Sequence, residues 1–208
     1  TDPLGRHTWA AEAWWGSGSE FLNWEASYIY DRFIPSAGIG GGRYAVSYGQ
    51  ILLGLRKVEE NLYALVTLDE DYYEQRTELR AWLEETFGVF DRPLSLRLTY
   101  KWQDRDNWTA LPELTFDTLL PGRGTFSGVE LSARLDATRY YAYSISPEAG
   151  VRARVSFEWL DGALGSDYDQ RIFTGDLRAF LPNPLLRHHV FALRAAGGVM
   201  DGDKLFQG

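Results

Sequence analysis

Three segments of the chain alternate strictly between apolar and polar residues, and this period of two constrains the fold more than any other feature. Residues 94–102, 129–137 and 151–159 each carry five apolar side chains at every second position, with polar or charged side chains between them. Successive side chains of a β-strand point to opposite faces of a sheet, whereas a helix would scatter this pattern around its axis. The segments therefore predict strands with one apolar and one charged face.

Weaker alternation extends this prediction along the chain. The apolar residues of 51–65 also fit a helical spacing, but Leu62–Leu68 is rich in strand formers and follows a short polar turn at 59–61, which favours a hairpin. On that interpretation the sequence predicts about eleven strands, with boundary errors of a few residues. They lie at roughly 7–15, 20–31, 35–48, 50–58, 62–70, 72–86, 94–104, 125–138, 149–160, 168–181 and 188–200.

The predicted connections fall into two kinds. Those after most even-numbered strands are short and marked by proline, at Pro35, Pro93, Pro147 and Pro182. The others are rich in glycine or long, as at 16–19, 161–167 and around 111–124. Short turns at one end and longer loops at the other are typical of an outer-membrane barrel.

Period alone leaves two arrangements open, because the apolar face would be the core of a soluble β-sandwich and the lipid-facing surface of a membrane barrel. The apolar rows approach the ~9–11 residues that a strand needs to cross a bilayer. Aromatic residues also gather at strand ends, for example at Tyr28, Tyr72, Trp102 and Trp159. We therefore expect an all-β, antiparallel up-and-down transmembrane β-barrel of the bacterial outer membrane, with the lipid bilayer as its partner.

In such a barrel the charged face lines a lumen. Both signs occur on neighbouring strands, so cross-strand pairing is expected to offset much of the charge and to leave the lumen hydrated. The net charge of −8 argues against a nucleic-acid partner. The residues predicted to point inward are Arg97, Lys101, Glu130, Arg134, Asp136, Arg152, Arg154, Glu158, Asp176 and Arg178.

The sequence predicts no catalytic residues, no metal site and no cofactor, and hence no enzyme. It contains no Cys, and the adjacent His188 and His189 would point to opposite faces of a strand. The glycine run 38–42 lacks the Lys-Ser/Thr of a phosphate loop and favours a bend or tight packing in a strand. Acidic clusters at 69–71, 167–169 and 201–203 do not complete a calcium loop. The 29 acidic residues still leave a carboxylate-pair hydrolase open.

The run 176–198 resembles the bacterial surface antigen family, which comprises outer-membrane protein assembly factors and two-partner secretion transporters. His189-Val-Phe-Ala-Leu-Arg194 and Phe206-Gln-Gly208 are similar to the family's approach to an in-folded outer loop, and Asp31–Pro35 is similar to its turn after the second strand. The resemblance implies a barrel of sixteen strands. Residues 1–208 would then be a partial barrel domain of about eleven strands that ends before the in-folded loop.

The resemblance also implies a function without covalent chemistry, in which the protein assists the insertion or translocation of other proteins at the outer membrane. The first strand, near His7–Trp15, and the last would form a weak seam whose exposed edge pairs with a client strand. Partners would be client outer-membrane proteins, or periplasmic and outer-membrane subunits. A passive porin-like barrel, or a structural barrel in a larger complex, is the alternative.

Overall fold

The structure of the chain, a computed structural model, is all-β. It describes residues 6–31, 34–48, 52–59, 62–67, 71–88, 93–109, 122–140, 147–183 and 189–203. No helix in these ranges is both long enough and apolar enough to cross a bilayer. The strands are β1 (His7–Gly16), β2 (Phe21–Tyr30), β3 (Ser36–Ser47), β4 (Leu52–Glu59), β5 (Leu62–Thr67), β6 (Tyr73–Phe87), β7 (Leu94–Asn107), β8 (Gly124–Arg139), β9 (Ala149–Leu160), β10 (Gln170–Pro182) and β11 (Val190–Gly202).

Nine of the strands form one antiparallel up-and-down sheet in the order β1-β2-β3-β6-β7-β8-β9-β10-β11. The sequence-based prediction of an antiparallel meander is therefore confirmed, and every predicted strand is present. One point differs, since β4 and β5 pair with each other instead of joining the meander. β3 pairs directly with β6 from Ser36↔Glu84 to Ser47↔Tyr73, which leaves no free edge between them for the hairpin.

The connections marked by proline attach at one end of the sheet and the others at the opposite end, as predicted, but their lengths do not divide as sharply, since four residues join β1 to β2 and nine join β8 to β9. At one end, here called the proline end, β2, β6, β8 and β10 end and β3, β7, β9 and β11 begin. At the other, the loop end, β1, β3, β7 and β9 end and β2, β6, β8 and β10 begin. Residues 110–121 of the long predicted loop lie outside the described residues.

The glycine run of β3 fits the tight packing that the sequence predicted. Gly38 lies directly opposite Trp82 of β6. A Cβ on Gly38 would come within 2.3 Å of the Trp82 ring carbons. The indole therefore occupies the space that a side chain at position 38 would fill. This explains why Trp82 interrupts an otherwise polar face of β6.

The sheet has no conventional core between two layers. Among the described residues, the only buried large apolar side chains are Phe21, Tyr72, Phe126 and Leu160, and all four lie at the loop end. Buried apolar surface is the main stabilising contribution in a water-soluble domain. Along most of its length, the described sheet is a single layer with two uncovered faces.

Candidate functional site

One face of the sheet is apolar and exposed. In β7, β8 and β9 the alternate residues predicted to form the apolar face all lie on this side, and the neighbouring strands continue it. We call this surface the apolar face. Its exposed large residues are Trp9, Trp15, Leu22, Trp24, Ile39, Leu79, Leu83, Phe87, Leu94, Leu96, Leu98, Tyr100, Leu131, Val155, Phe157, Trp159, Phe173, Leu177, Leu181, Phe191, Leu193 and Val199.

The apolar face is continuous across strands. A single cross-strand row joins six consecutive strands of the sheet from β6 to β11, and each of its side chains is between 43% and 71% exposed. Water-soluble monomers rarely expose contiguous apolar patches larger than a few hundred Å². The row consists of Leu83, Leu98, Leu131, Phe157, Phe173 and Val199.

Aromatic side chains cluster on this face at the proline end of β1 and β2. The rings of Trp9 and Tyr28 lie 4.3 Å apart, and those of His7 and Tyr30 lie 4.8 Å apart. His7 Nδ1 and the Tyr28 hydroxyl are within hydrogen-bond distance at 2.6 Å. Rings that combine an apolar body with a polar atom suit the boundary between hydrocarbon and water.

The opposite surface, here called the polar face, carries most of the charges, although Glu85, Arg139 and Arg171 lie on the apolar face near strand ends. All ten residues that the sequence predicted to point inward lie on the polar face. The residues predicted to point inward do not include Arg194 of β11, which also lies on the polar face. The apolar residues on either side of Arg194 could have indicated this position. The glutamates and arginines of β6 that the alternation of that strand showed, namely Glu74, Arg76, Glu78, Arg80 and Glu84, also lie here.

The sheet curves toward the polar face. The evidence is that side chains from strands that are not neighbours contact each other on that face. The Lys101 ammonium of β7 lies 3.3 Å from the Glu158 carboxylate of β9, across β8. Gln103 of β7 donates to the Tyr44 hydroxyl of β3 at 3.4 Å, across β6. A cavity of about 340 Å³ on this face is lined by residues of β6, β7, β8, β9 and β10.

Ion pairs between neighbouring strands neutralise much of the polar face, as predicted. Arg97 of β7 donates from Nε to Glu84 of β6 at 2.9 Å. Arg152 of β9 donates to Asp136 of β8 at 2.9 Å. In β10, Asp176 accepts from Arg178 on its own strand at 3.0 Å and from Arg194 of β11 at 2.7 Å.

Lys101 has a special position, because it contacts two glutamates that face each other. Glu130 of β8 and Glu158 of β9 are direct register partners. Lys101 forms an ion pair with each of them, and its own register partner on β8 is Gly128. Repulsion between the two carboxylates is thereby offset by one shared cation.

The loop end of the polar face holds a buried hydrogen-bonded cluster. Arg76 donates to Glu74 at 2.5 Å and to the Tyr48 hydroxyl at 2.6 Å, and Glu74 is fully buried. Tyr72, just before β6, is also fully buried and donates to Asn107. Burial, reinforced by the neighbouring charge of Glu74, raises the pKa of the Tyr72 hydroxyl to about 12.

The loops at this end pack on each other. Trp108, after β7, donates to the Ser19 carbonyl in the β1–β2 turn at 2.6 Å, and its ring meets Phe21 edge to face at 4.8 Å. Tyr168, before β10, stacks on Phe126 at 4.7 Å and donates to the Arg123 carbonyl at 2.6 Å. These contacts tie together connections that are distant in sequence.

The polar face is suited to electrostatic contact with solvent or with a charged solute.

Within the described ranges, no group of three or more His, Asp or Glu side chains is placed to hold a metal ion. His188, one half of the histidine pair, lies outside the described residues, as do 184–187 and 204–208 of the C-terminal segment that resembles the surface antigen family. Asp69 and Glu70 of the first acidic cluster also lie outside them.

Comparison with protein-family models gives no match for this chain, and comparison with curated proteins gives none.

Proposed function

We propose that the chain forms part of the wall of a transmembrane β-barrel in a bacterial outer membrane. The observation that carries the proposal is the uncovered apolar face, in particular the exposed row from Leu83 to Val199 that crosses six strands. At roughly 25 cal/mol per Å² of apolar surface, a face of this size leaves a large unfavourable free energy in water. Lipid would remove that cost.

The polar face supports the same arrangement from the other side. A globule places ion pairs on its outside and apolar residues within, whereas here the ion pairs lie on the face toward which the sheet curves and the apolar residues lie on the other face. A hydrated lumen gives these charges water and one another as partners. A soluble β-sandwich would need a second layer over the apolar face, and no described residue supplies one.

The test uses the tryptophans of the chain, which occur on both faces. Two variants each retain one tryptophan, Trp159 on the apolar face or Trp82 on the polar face, and both are folded into vesicles that contain brominated lipid. Trp159 fluorescence should be quenched strongly and Trp82 fluorescence weakly. Equal quenching of both, or none of either in folded protein, would rule out a lipid-facing apolar face.

The role of such a barrel is the second part of the proposal. We propose that it assists insertion or translocation of other proteins at the outer membrane without covalent chemistry. Two features support this role, namely the C-terminal resemblance and the edge of β1. β1 pairs along its whole length with β2 and has no second neighbour among the described residues. An unpaired strand edge is a template for an incoming strand.

The alternative is a passive porin-like or structural barrel, which the ion-paired polar face favours because it needs no moving part. The two roles are separated by adding an unfolded outer-membrane protein to vesicles that contain the full chain. Several-fold faster insertion than into empty vesicles supports the assisting role. An unchanged insertion rate together with steady ion conductance supports the passive role and contradicts the assisting one.

A further inference from the structure

Two pairs of like-charged residues are register partners on β8 and β9 on the polar face, and a described residue of opposite charge contacts only one of the pairs. Glu130 and Glu158 are register partners, and Arg134 and Arg154 are register partners four residues further along each strand. Directly opposed residues of an antiparallel pair have Cβ atoms about 4.5–5.5 Å apart, so like charges there destabilise the sheet. Lys101 resolves the glutamate pair by contacting both carboxylates.

No described residue resolves the arginine pair. Within the part of the chain that the structure describes, neither Arg134 nor Arg154 makes an ion pair or a side-chain hydrogen bond. The position on β7 that corresponds to Lys101 is held by Arg97, whose register partner is Ser132 and which carries a third positive charge. Arg97 itself is paired with Glu84 and lies over the Trp82 ring.

The nearest carboxylates are already engaged. Asp176 is the register partner of Arg154 on β10, but its two oxygens accept from Arg178 and Arg194. Asp136, two residues beyond Arg134 on β8, accepts from Arg152 and from Thr138. Both arginine side chains are exposed, so no described side chain offsets the positive charge of the pair, and solvent or a dissolved ion does so instead.

The surroundings of the pair form a cavity of about 360 Å³, large enough for a small ion with water. The cations of its wall outnumber the carboxylates, and three hydroxyl side chains add neutral donors. Two guanidinium groups on adjacent strands can each present paired N–H donors to one oxyanion, which is the geometry that arginine provides and lysine does not. The lining includes Arg97, Arg134 and Arg154 together with the hydroxyl residues Ser95, Thr99 and Ser132.

We infer that Arg134 and Arg154 form a binding site for a small oxyanion, a phosphate or a carboxylate group, on the polar face. The inference rests on the proposed function, because the polar face then borders a water-filled lumen that such ions can enter. Lipid headgroups are not the source, since the site is on the face opposite the apolar row.

The site is tested by calorimetric titration of the full chain, folded in detergent micelles, with inorganic pyrophosphate and, in a separate arm, with succinate. The variant Arg134→Gln/Arg154→Gln removes both guanidinium groups. The matched control Arg139→Gln/Arg171→Gln removes the same charge from exposed positions on the other side of β8 and β10. We expect the wild type and the control to bind alike and the site variant to bind at least tenfold more weakly.

Each outcome bears on the inference. Loss for pyrophosphate alone identifies a phosphate site, and loss for succinate alone identifies a carboxylate site. A third variant, Arg134→Lys/Arg154→Lys, keeps the charge without the paired donors and should bind more weakly than the wild type. The inference is overturned if neither anion binds the wild type, or if the site variant binds as well as the control. Binding of polyglutamate without binding of either small anion would also overturn it.

Failure here is separable from failure of the proposed function. If lipid quenches Trp159 and no anion binds, only the inference of an oxyanion site is contradicted. If an anion binds through Arg134 and Arg154 and Trp159 is not quenched, the proposal of a membrane barrel is contradicted. The oxyanion site then lies on the polar face of a sheet that does not face lipid.

Discussion

Two places on the same pair of strands handle the same electrostatic problem differently. At Glu130 and Glu158 two carboxylates face each other, and a cation from a third strand lies between them. At Arg134 and Arg154 two guanidinium groups face each other, and the third strand contributes Arg97, another cation. At the glutamate pair a described side chain of opposite charge offsets the repulsion. At the arginine pair no described side chain does so.

The difference shows that register between neighbouring strands does not by itself balance charge in a curved sheet. Balance at the glutamate pair depends on Lys101 of β7, whose ammonium reaches Glu158 across β8. At the arginine pair, the corresponding residue of β7 is Arg97, which is itself paired with Glu84. We expect charge that is balanced within the sheet to stabilise the fold, and charge that is not balanced to attract a dissolved anion.

The largest effect is expected from Lys101→Gln. This change leaves Glu130 and Glu158 opposed without a cation, in positions that are only partly exposed. We expect the free energy of unfolding, from urea titration in micelles, to fall by about 1–3 kcal/mol. Adding Glu158→Gln should recover most of that loss. If Lys101→Gln is no less stable than the control Arg139→Gln, Lys101 does not balance the pair.

A second prediction concerns the packing of β3 against β6 on the polar face, which Gly38→Ala tests. The added methyl group would collide with the Trp82 ring. We expect a loss of about 1–3 kcal/mol in the free energy of unfolding and a changed near-ultraviolet circular dichroism signal from tryptophan. Gly197→Ala, where no atom lies within 4 Å, is the control and should leave both unchanged. Equal effects of the two substitutions would contradict the described packing.

Arg134→Glu should convert the arginine pair into a pair of opposite charges. The new carboxylate would face Arg154 on one side and Ser95 on the other, so an attraction replaces a repulsion. We expect a gain of about 0.2–1 kcal/mol in the free energy of unfolding, measured in buffer without phosphate, together with loss of pyrophosphate binding. Destabilisation by Arg134→Glu would mean that the arginine pair is already balanced.

The smallest effect concerns Tyr72, where burial and not an opposite charge controls ionisation. Its pKa is raised to about 12, above the ordinary value near 10. The raised pKa favours the neutral phenol in the folded state, so its contribution to stability is complete below about pH 10 and is lost as the pH rises toward 12. Ultraviolet difference titration should show a late phenol phase near pH 12, and Tyr72→Phe should reduce its amplitude by one tyrosine. An unchanged titration curve in Tyr72→Phe would contradict this assignment.

The strands were predictable because each carries the period of two in its own residues. β9 was predicted at 149–160 and is Ala149–Leu160, and the hairpin of β4 and β5 was preferred over a helix. All ten predicted inward charges lie on one face for the same reason, since a strand's faces are local properties.

Cross-strand arrangement was less predictable, because register depends on contacts between segments that are far apart in sequence. The separate pairing of β4 with β5 could be predicted only from the pairing of β3 with β6. Lys101 between two glutamates, and Arg134 opposite Arg154, likewise follow from registers that no single strand records. The fit of Trp82 against Gly38 likewise follows only from the pairing of β3 with β6.

The most direct test of the central account uses the absence of cysteine from the chain, which allows single cysteines to be introduced one at a time along residues 129–136 of β8. Each is spin-labelled and its exposure to oxygen, which concentrates in lipid, is compared with its exposure to a water-soluble nickel complex. Oxygen exposure should peak at Val129, Leu131, Ala133 and Leu135, and nickel exposure at the positions between them. Nickel exposure that does not alternate, or oxygen exposure that peaks at the charged positions, would contradict a wall between lipid and a lumen.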